Sequence, residues 1–341
     1  MALRVVFGAD GGGTKTDCAV GRLDGTIVGF ARVGPSNHLR LAGGAAEAAR
    51  NVREGLERAL ADAGFGGGRA DVRVRAAFLA LGGIGAENAH GQMLRAAQEA
   101  IDADEVVLDN DAMAGLASGV GECFGVVVIA GTGSIALAVD RQGRRSRSGG
   151  WGYRIGDEGS GQWIGTMGLV AAARAHDGRG PDTSLCDKVL KRYGISSVDQ
   201  LRAVLYAPAA DNRIVADFCP DVVAAAEEGD EVARRVVQEA GRELALAAYA
   251  AAKQLGLESV ECPVVTAGGV FKAGDAVARP FMEELARLMP SARVVVPRVP
   301  PVVGAVALAL MRAGVDAAHP DVQANLARSW EEVMVRHGLV S

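Results

Sequence analysis

Two glycine-rich turns and a few acids, amides and aromatics are the residues here whose types and spacing could do chemistry. FGADGGGTKTDCAVG, residues 7–21, has the look of a phosphate loop yet fits neither familiar glycine pattern. In a Walker A loop, G-x-x-x-x-G-K-[ST], Gly8 and Gly13 would be correctly spaced, but Thr14 stands before Lys15. A dinucleotide fingerprint opens a helix, whereas TKTDCAVGRL reads as a strand. The segment is therefore a glycine turn between two strands, with Asp10 at its mouth. A second turn of the same kind, Gly131-Thr132-Gly133, is closed by Ser134. Asp111 follows the strand EVVLDN, at a strand-to-helix junction. A carboxylate there can orient a hydroxyl and accept its proton; capping the helix is the competing role. In GGWGYRIGDEGSG (149–161) Trp151 stands among glycines, which fill no volume around an indole. A ligand contact explains it better than a core position.

The elements that must position these residues are readable from period and punctuation. LRVVFGA (3–9) is a strand that turns on Asp10–Gly13 into a second at 16–23. Asp24-Gly25 is a hairpin signal, and TIVGFARV (26–33) is the third strand. A helix follows over 43–63, a strand over 71–81, a helix over 90–100, a strand over 105–110 and a helix from 112 to 118. This βββαβαβα order begins again with FGVVVIA (124–130), SIALAVD (134–140) and a hairpin at Gly143. An Ala-rich helical insertion covers 160–260. PVVTAGG (263–269), a helix over 275–288, the strand RVVVP (293–297) and a helix over 303–313 complete the second unit. At 341 residues the chain exceeds what one compact core usually supports. The repeat predicts an α/β fold of two domains with a central cleft, the first ending at 118 and the second beginning at 119.

This order resembles the acetate kinase–sugar kinase–Hsp70–actin superfamily, whose two glycine hairpins grip the phosphates of ATP. Its domains are actin/hexokinase-like, or ribonuclease H-like. Backbone N–H groups bared by glycine make an anion nest, and glycine lets the chain approach closely. Within that superfamily the chain is similar to the BadF/BadG/BcrA/BcrD-type group that includes N-acetylglucosamine and glucosamine kinases. The resemblance rests on GADGGGTKTD (8–17), PSNH (35–38), NDAMAG (110–115), AGTGS (130–134), GGWGYRIGDEGSG and TAGGVF (266–271). It implies an ATP- and Mg²⁺-dependent hexosamine kinase acting on a sugar 6-hydroxyl, with Asp111 as catalytic base. Asp10 would face the Mg²⁺ through water, since that ion keeps much of its hydration shell. Gly11, Gly12, Gly13, Thr14 and Lys15 would form the first phosphate hairpin and Gly131, Thr132 and Gly133 the second. Lys15 is not given the Walker role, because its side chain starts in a strand. Gly268 and Gly269 match the place of the adenosine. Asn37, His38, Ser134, Trp151, Gly152, Tyr153 and Asp157 fall to the sugar, with His38 as a support rather than a base. Glu158 and Ser160 would start the helix GQWIGT, placing its anion-friendly N-terminus near the site. The resemblance also carries the helix at 321–338 back onto the N-terminal domain, making that domain 1–118 plus 318–341 and the second 119–317, and it is compatible with a homodimer.

The bulk numbers exclude other classes. Net charge is −5 and no stretch gathers Lys and Arg, against a nucleic-acid or anionic-membrane surface. RQGRRSRSGG (141–150) reads as a solvated hairpin tip, though Arg144, Arg145 and Arg147 could help attract an anionic substrate. No apolar run approaches the ~18 residues a membrane span needs, and the N-terminus reads as a strand rather than a signal peptide. Five scattered cysteines without a C-x-x-C suit reduced, buried thiols and a cytoplasmic protein. One departure bears on substrate: after GTGS stands Ile135, where animal N-acetylglucosamine kinases are polar. An apolar residue cannot make that hydrogen bond, so glucosamine, N-acetylglucosamine, N-acetylmuramic acid and glucose stay open. Two alternatives remain. An activator ATPase of a 2-hydroxyacyl-CoA dehydratase or benzoyl-CoA reductase would need converging thiolates, which Cys186, Cys219 and Cys262 do not suggest. A sugar sensor without turnover would have no need of Asp111.

Overall fold

A computed structural model describes residues 2–65, 72–84, 87–207 and 213–339; Asp71, the expected first residue of the fourth strand, lies outside them. The chain divides into two compact units, Met1–Cys123 with Val296–Ser341, and Phe124–Val295.

The first unit opens with β1 (Leu3–Gly11), β2 (Thr16–Arg22) and β3 (Ile27–Val33). It continues with α1 (Gly44–Asp62), β4 (Val72–Leu81), α2 (Glu87–Ala100), β5 (Val106–Asp109) and α3 (Asp111–Val120). Strand order is β3-β2-β1-β4-β5, with β1 antiparallel to β2 and parallel to β4. The central strand β1 is apolar on both faces because both are covered. Val5, Phe7 and Ala9 join the core beneath α1, with Val52, Leu56 and Met93.

The second unit repeats the plan with β6 (Gly125–Ala130), β7 (Ser134–Val139) and β8 (Arg145–Gly149). Six helices follow: α4 (Gly161–His176), α5 (Leu185–Tyr193), α6 (Leu201–Leu205), α7 (Arg213–Ala216), α8 (Cys219–Glu227) and α9 (Glu231–Lys253). Then come β9 (Cys262–Ala267), α10 (Gly269–Lys272), α11 (Asp275–Leu288) and β10 (Ala292–Val295). Its strand order, β10-β9-β6-β7-β8, is that of the first sheet, element for element. The expected two α/β units with a repeated βββ opening are thus present. β8 was legible only as a hairpin: RSRSG has no apolar alternation, and it forms an edge strand paired to β7 alone.

The remaining helices are α12 (Pro301–Arg312) and α13 (Pro320–Arg336). The sequence reading gives the first of these to the second domain, but it packs on β1 and α3 and belongs to the first unit. Two glycines permit this. A Cβ on Gly8 would collide with the Val306 backbone, and one on Gly304 with the backbone of Ala114 and Ser118. α13 lies against β3, where Ser329 Oγ accepts a 2.8 Å bond from Ile27 N and Trp330 meets Phe30 edge to face at 5.4 Å. Among the described residues no helix is long and apolar enough to cross a membrane.

Candidate functional site

In the first unit the chemistry gathers where β1, β4 and α3 end or begin. The turn after β1 closes through Gly12 N donating to Lys15 O at 3.1 Å. The 35–38 loop is docked on that turn, because Ser36 N and Asn37 N both donate to Gly12 O at 3.0 Å. Buried Thr16 adds a second tie: its hydroxyl bonds Gly34 O at 2.8 Å and Ser36 Oγ at 2.9 Å. Gly11 is obligatory, since a Cβ there would overlap Ser36 Oγ.

This frame fixes Asn37, whose Oδ1 accepts from Leu39 N at 3.2 Å and caps the 3-10 turn His38–Arg40. Its Nδ2 remains available to donate. Asp111 arrives from the other side as the first residue of α3. The cap of that helix is Asn110, whose Oδ1 accepts from Ala112 N at 3.0 Å, so Asp111 is not the capping residue. Gly82 N bonds Gly11 O at 2.8 Å, and a Cβ on Gly82 would stand 3.4 Å from Asp111 Oδ2 and 3.9 Å from Asn37 Nδ2. A carboxylate and an amide donor therefore border one glycine-lined spot.

Electrostatics mark the same place. Burial pushes the Asp10 carboxyl up to about 7, with Asp111 and then Asp17 adding to the rise and Lys15 opposing it. Burial likewise raises Asp111, against the pull of the Ala112 N–H. Lys15 is tied to Asp17 at 3.0 Å, so its ammonium is engaged at the hairpin's own base. His38 is only 6% exposed. Neither of its ring nitrogens has a hydrogen-bond partner among the described residues, and burial lowers its pKa, keeping it neutral. Gly82, Gly83 and Arg40 were missed in the sequence. The signal for the glycines was the pair in LALGGIG directly after a strand; Arg40, whose guanidinium borders Gly13, carried none.

In the second unit the turn after β6 closes through Gly131 N to Gly133 O at 2.9 Å. The long glycine segment folds back on it with left-handed backbone at Gly149, Gly150, Gly152 and Gly159. Asp157, at φ 61, is the one non-glycine residue with positive φ among those described. Its Oδ1 accepts from Gly152 N at 3.3 Å, and a Cβ on Gly133 would lie 2.8 Å from its Oδ2. The carboxylate thus lies directly over the hairpin. Ser134 is buried and its hydroxyl donates to Glu158 O at 2.8 Å, so towards a ligand it could only accept. Ser160 caps α4, its Oγ accepting from Trp163 N at 3.1 Å. The first N–H groups of α4, on Gly161 and Gln162, donate to the carbonyls of Gly131 and Thr132 at 2.8 and 3.2 Å. That helix end, which the sequence reading placed near the site, therefore braces the hairpin. Trp151 and Tyr153 are 63% and 47% exposed, outside any core. Gly268, at φ 100, packs on the end of β6, where a Cβ would overlap Ala130, while the space beside Gly269 is open.

Each unit thus contains a glycine turn with a carboxylate against it, Asp10 in one and Asp157 in the other. The residue types can hold phosphate through bare N–H groups and can accept a proton from a hydroxyl. No group of three or more His, Cys, Asp or Glu side chains among the described residues could cage a metal. The half-buried Asp10–Asp111 pair nonetheless fits a hard divalent cation shared with water and phosphate oxygens, since such an ion would relieve their mutual repulsion.

Comparison with known proteins points the same way. Residues 7–309 match the profile of the BadF/BadG/BcrA/BcrD ATPase family. An N-acetylmuramic acid/N-acetylglucosamine kinase from Clostridium acetobutylicum is 31% identical over 274 residues, 79% of this chain and 86% of its own. An N-acetyl-D-glucosamine kinase from Dictyostelium discoideum is 30% identical over 317 residues, 91% of this chain and 99% of its own. The structure of a Chromobacterium violaceum protein provisionally named an N-acetylglucosamine kinase superposes with a TM-score of 0.70 at 29% identity, covering 90% of this chain and 99% of that one.

Proposed function

Because this chain belongs to the BadF/BadG/BcrA/BcrD ATPase family, we propose that it is an ATP-dependent hexosamine kinase that phosphorylates the 6-hydroxyl of N-acetylglucosamine or glucosamine. The observation that carries the mechanism is the pairing of Asp111 with Asn37 beside Gly82. Asn37 Nδ2 donates to a sugar hydroxyl while Asp111 accepts the proton of the attacking one. As the hydroxyl oxygen bonds to the γ-phosphorus, the bond to the ADP oxygen breaks and the proton passes to Asp111. The raised pKa of that carboxyl suits it to accept a proton late in the transfer. Names of relatives at about this level of identity support an amino-sugar acceptor.

The glycine turns 11–14 and 131–133 offer backbone N–H groups to the phosphates, and the open side of Gly269 suits the nucleoside. Trp151 offers an apolar ring face to the pyranose, and Asp157 accepts from neighbouring hydroxyls. Mg²⁺, when bound, supplies charge neutralisation at the phosphates, and Asp10 is the residue to hold it, through water. The thiols give no support to an iron–sulfur activator, since burial pushes Cys219 up to about 12 and Cys262 to about 11.

The test is ADP release from MgATP with glucosamine, N-acetylglucosamine, N-acetylmannosamine, glucose or no sugar, run beside Asp111→Ala. Sugar-dependent release that disappears in the variant is expected. Release indifferent to every sugar would overturn the kinase reading.

A further inference from the structure

An anion on the first glycine hairpin would meet acids before it met free positive charge. Asp10 stands at the hairpin's mouth. Asp111 is close by, since a Cβ on Gly82 would stand 3.4 Å from Asp111 Oδ2 and 3.7 Å from Gly11 O. Lys15 and Arg32 stand beside the hairpin, but both are bound to Asp17. Lys15 reaches it at 3.0 Å, and Arg32 does so through Nε at 2.5 Å and Nη2 at 3.1 Å. Arg40 differs. It is exposed, and its guanidinium has no hydrogen-bond or ion-pair partner among the described residues.

The turn that presents Asn37 also delivers Arg40. Ser36 N and Asn37 N are docked on Gly12 O, and Arg40 N returns to Asn37 O at 3.0 Å. His38 is the buried residue of that turn, which leaves Leu39 and Arg40 on its outer side. The Arg40 side chain then lies against Gly13, where a Cβ would stand 3.1 Å from its Nη1 and 3.2 Å from its Cδ. Gly13 is not among the glycines with left-handed backbone. Its missing side chain is explained by the room that Arg40 takes. Beside Gly12 the space is open, and among the described residues neither Gly13 N nor Thr14 N donates to a carbonyl. The hairpin thus combines free N–H groups, an open side and an uncommitted guanidinium.

The bond from Gly82 N to Gly11 O ties this hairpin to the glycine that Asp111 and Asn37 border. A phosphoryl group held on the hairpin is therefore the one next to the attacking hydroxyl. We propose that Arg40 is a further catalytic residue, donating its in-plane N–H groups to the non-bridging oxygens of the γ-phosphoryl. This rests on the kinase reading above. Negative charge is spread over those oxygens during transfer, and a planar guanidinium matches two of them at once. Arg40 exchanges no proton: the hydroxyl proton goes to Asp111, and the electron pair of the broken bond stays on the ADP oxygen. Its charge offsets the repulsion between the phosphates and the two acids.

The experiment has two arms, run on the full chain, Arg40→Gln and Arg40→Lys. In the first, calorimetry gives the Kd of ADP and of a non-hydrolysable ATP analogue, with Mg²⁺ and without sugar. Arg40→Gln should weaken the analogue about tenfold, the worth of one hydrogen bond to a charged group. ADP, which lacks the γ-phosphate, should bind as before. In the second arm, Arg40→Gln should lower kcat for sugar-dependent ADP release by about 10²-fold, as loss of a donor to transition-state charge does. Arg40→Lys should keep part of the rate, and guanidinium ion should restore part of it to Arg40→Ala. Tm should be unchanged, because the side chain is exposed. An undiminished kcat, or equal weakening of ADP and the analogue, overturns the proposal and leaves the kinase reading intact. Absence of sugar-dependent release from the unsubstituted protein overturns the kinase reading, while the first arm still decides whether Arg40 meets the γ-phosphate.

Discussion

Asp111 and Asn37 flank a single glycine: Asp111 Oδ2 and Asn37 Nδ2 lie 3.4 and 3.9 Å from where a Cβ on Gly82 would stand. With Asn110 as the cap of α3, the helix does not need Asp111 as its cap. Asp111→Asn should therefore lower kcat by about 10²–10⁴-fold, the usual contribution of a general base. The KM for sugar should change far less. Steady-state kinetics decide the point, and a variant with undiminished kcat would remove Asp111 from the chemistry.

Gly83 holds the other partner in place. Its φ of 87 is left-handed, and a Cβ would overlap the Asn37 side chain amide. Gly83→Ala should push that amide away, raising the sugar KM about 3–10-fold, the worth of one neutral hydrogen bond. The loss should match that of Asn37→Ala and should not add to it when the two are combined. Additive losses would show that Gly83 acts elsewhere.

The double-unit plan was legible because each strand–turn–strand opening is apolar, periodic and punctuated by glycine. Asp111 was legible for the same reason, standing at the end of a clear strand. Three features were hidden. β8 is charged because it is an edge strand, so period-2 patterning could not disclose it. The placement of α12 depended on Gly8 and Gly304 allowing close backbone approach, a tertiary fact with no local signature. The tie from α4 to the second hairpin, Gly161 N to Gly131 O, spans thirty residues of sequence, and motif reading could place that helix start near the site but not disclose the bond.

Asp10 makes the ligand-free protein sensitive to pH. Its carboxyl is held up to about 7 from an ordinary value of 3.8, so the fold favours the protonated form. That contribution is complete below the unfolded value and is lost as pH rises through about 7. In the absence of nucleotide and Mg²⁺, Tm should fall between pH 5 and pH 8. Asp10→Asn should flatten the slope and raise Tm at pH 8, by about 2–4 °C for each kcal/mol recovered. A residual slope from Asp111, also raised by burial, should persist. Identical slopes with and without the Asp10 carboxyl would contradict the assignment.

At Asp157 charge and scaffold can be separated. The residue sits at φ 61 and accepts from Gly152 N at 3.3 Å through Oδ1. Asparagine tolerates the left-handed region and retains that acceptor, so Asp157→Asn should keep the native Tm. It loses the negative charge that would meet sugar hydroxyls, and kcat/KM should fall about tenfold or more, since hydrogen bonds to charged groups carry about 1.5–3 kcal/mol. Alanine retains the strained backbone and loses the bond to Gly152, so Asp157→Ala should also destabilise the protein by about 1–2 kcal/mol. Thermal melts and sugar kinetics on the two variants make the comparison. If Asp157→Asn kept full kcat/KM, the carboxylate would serve only to shape the loop, and the sugar contact would have to be sought among Trp151, Gly152 and Tyr153.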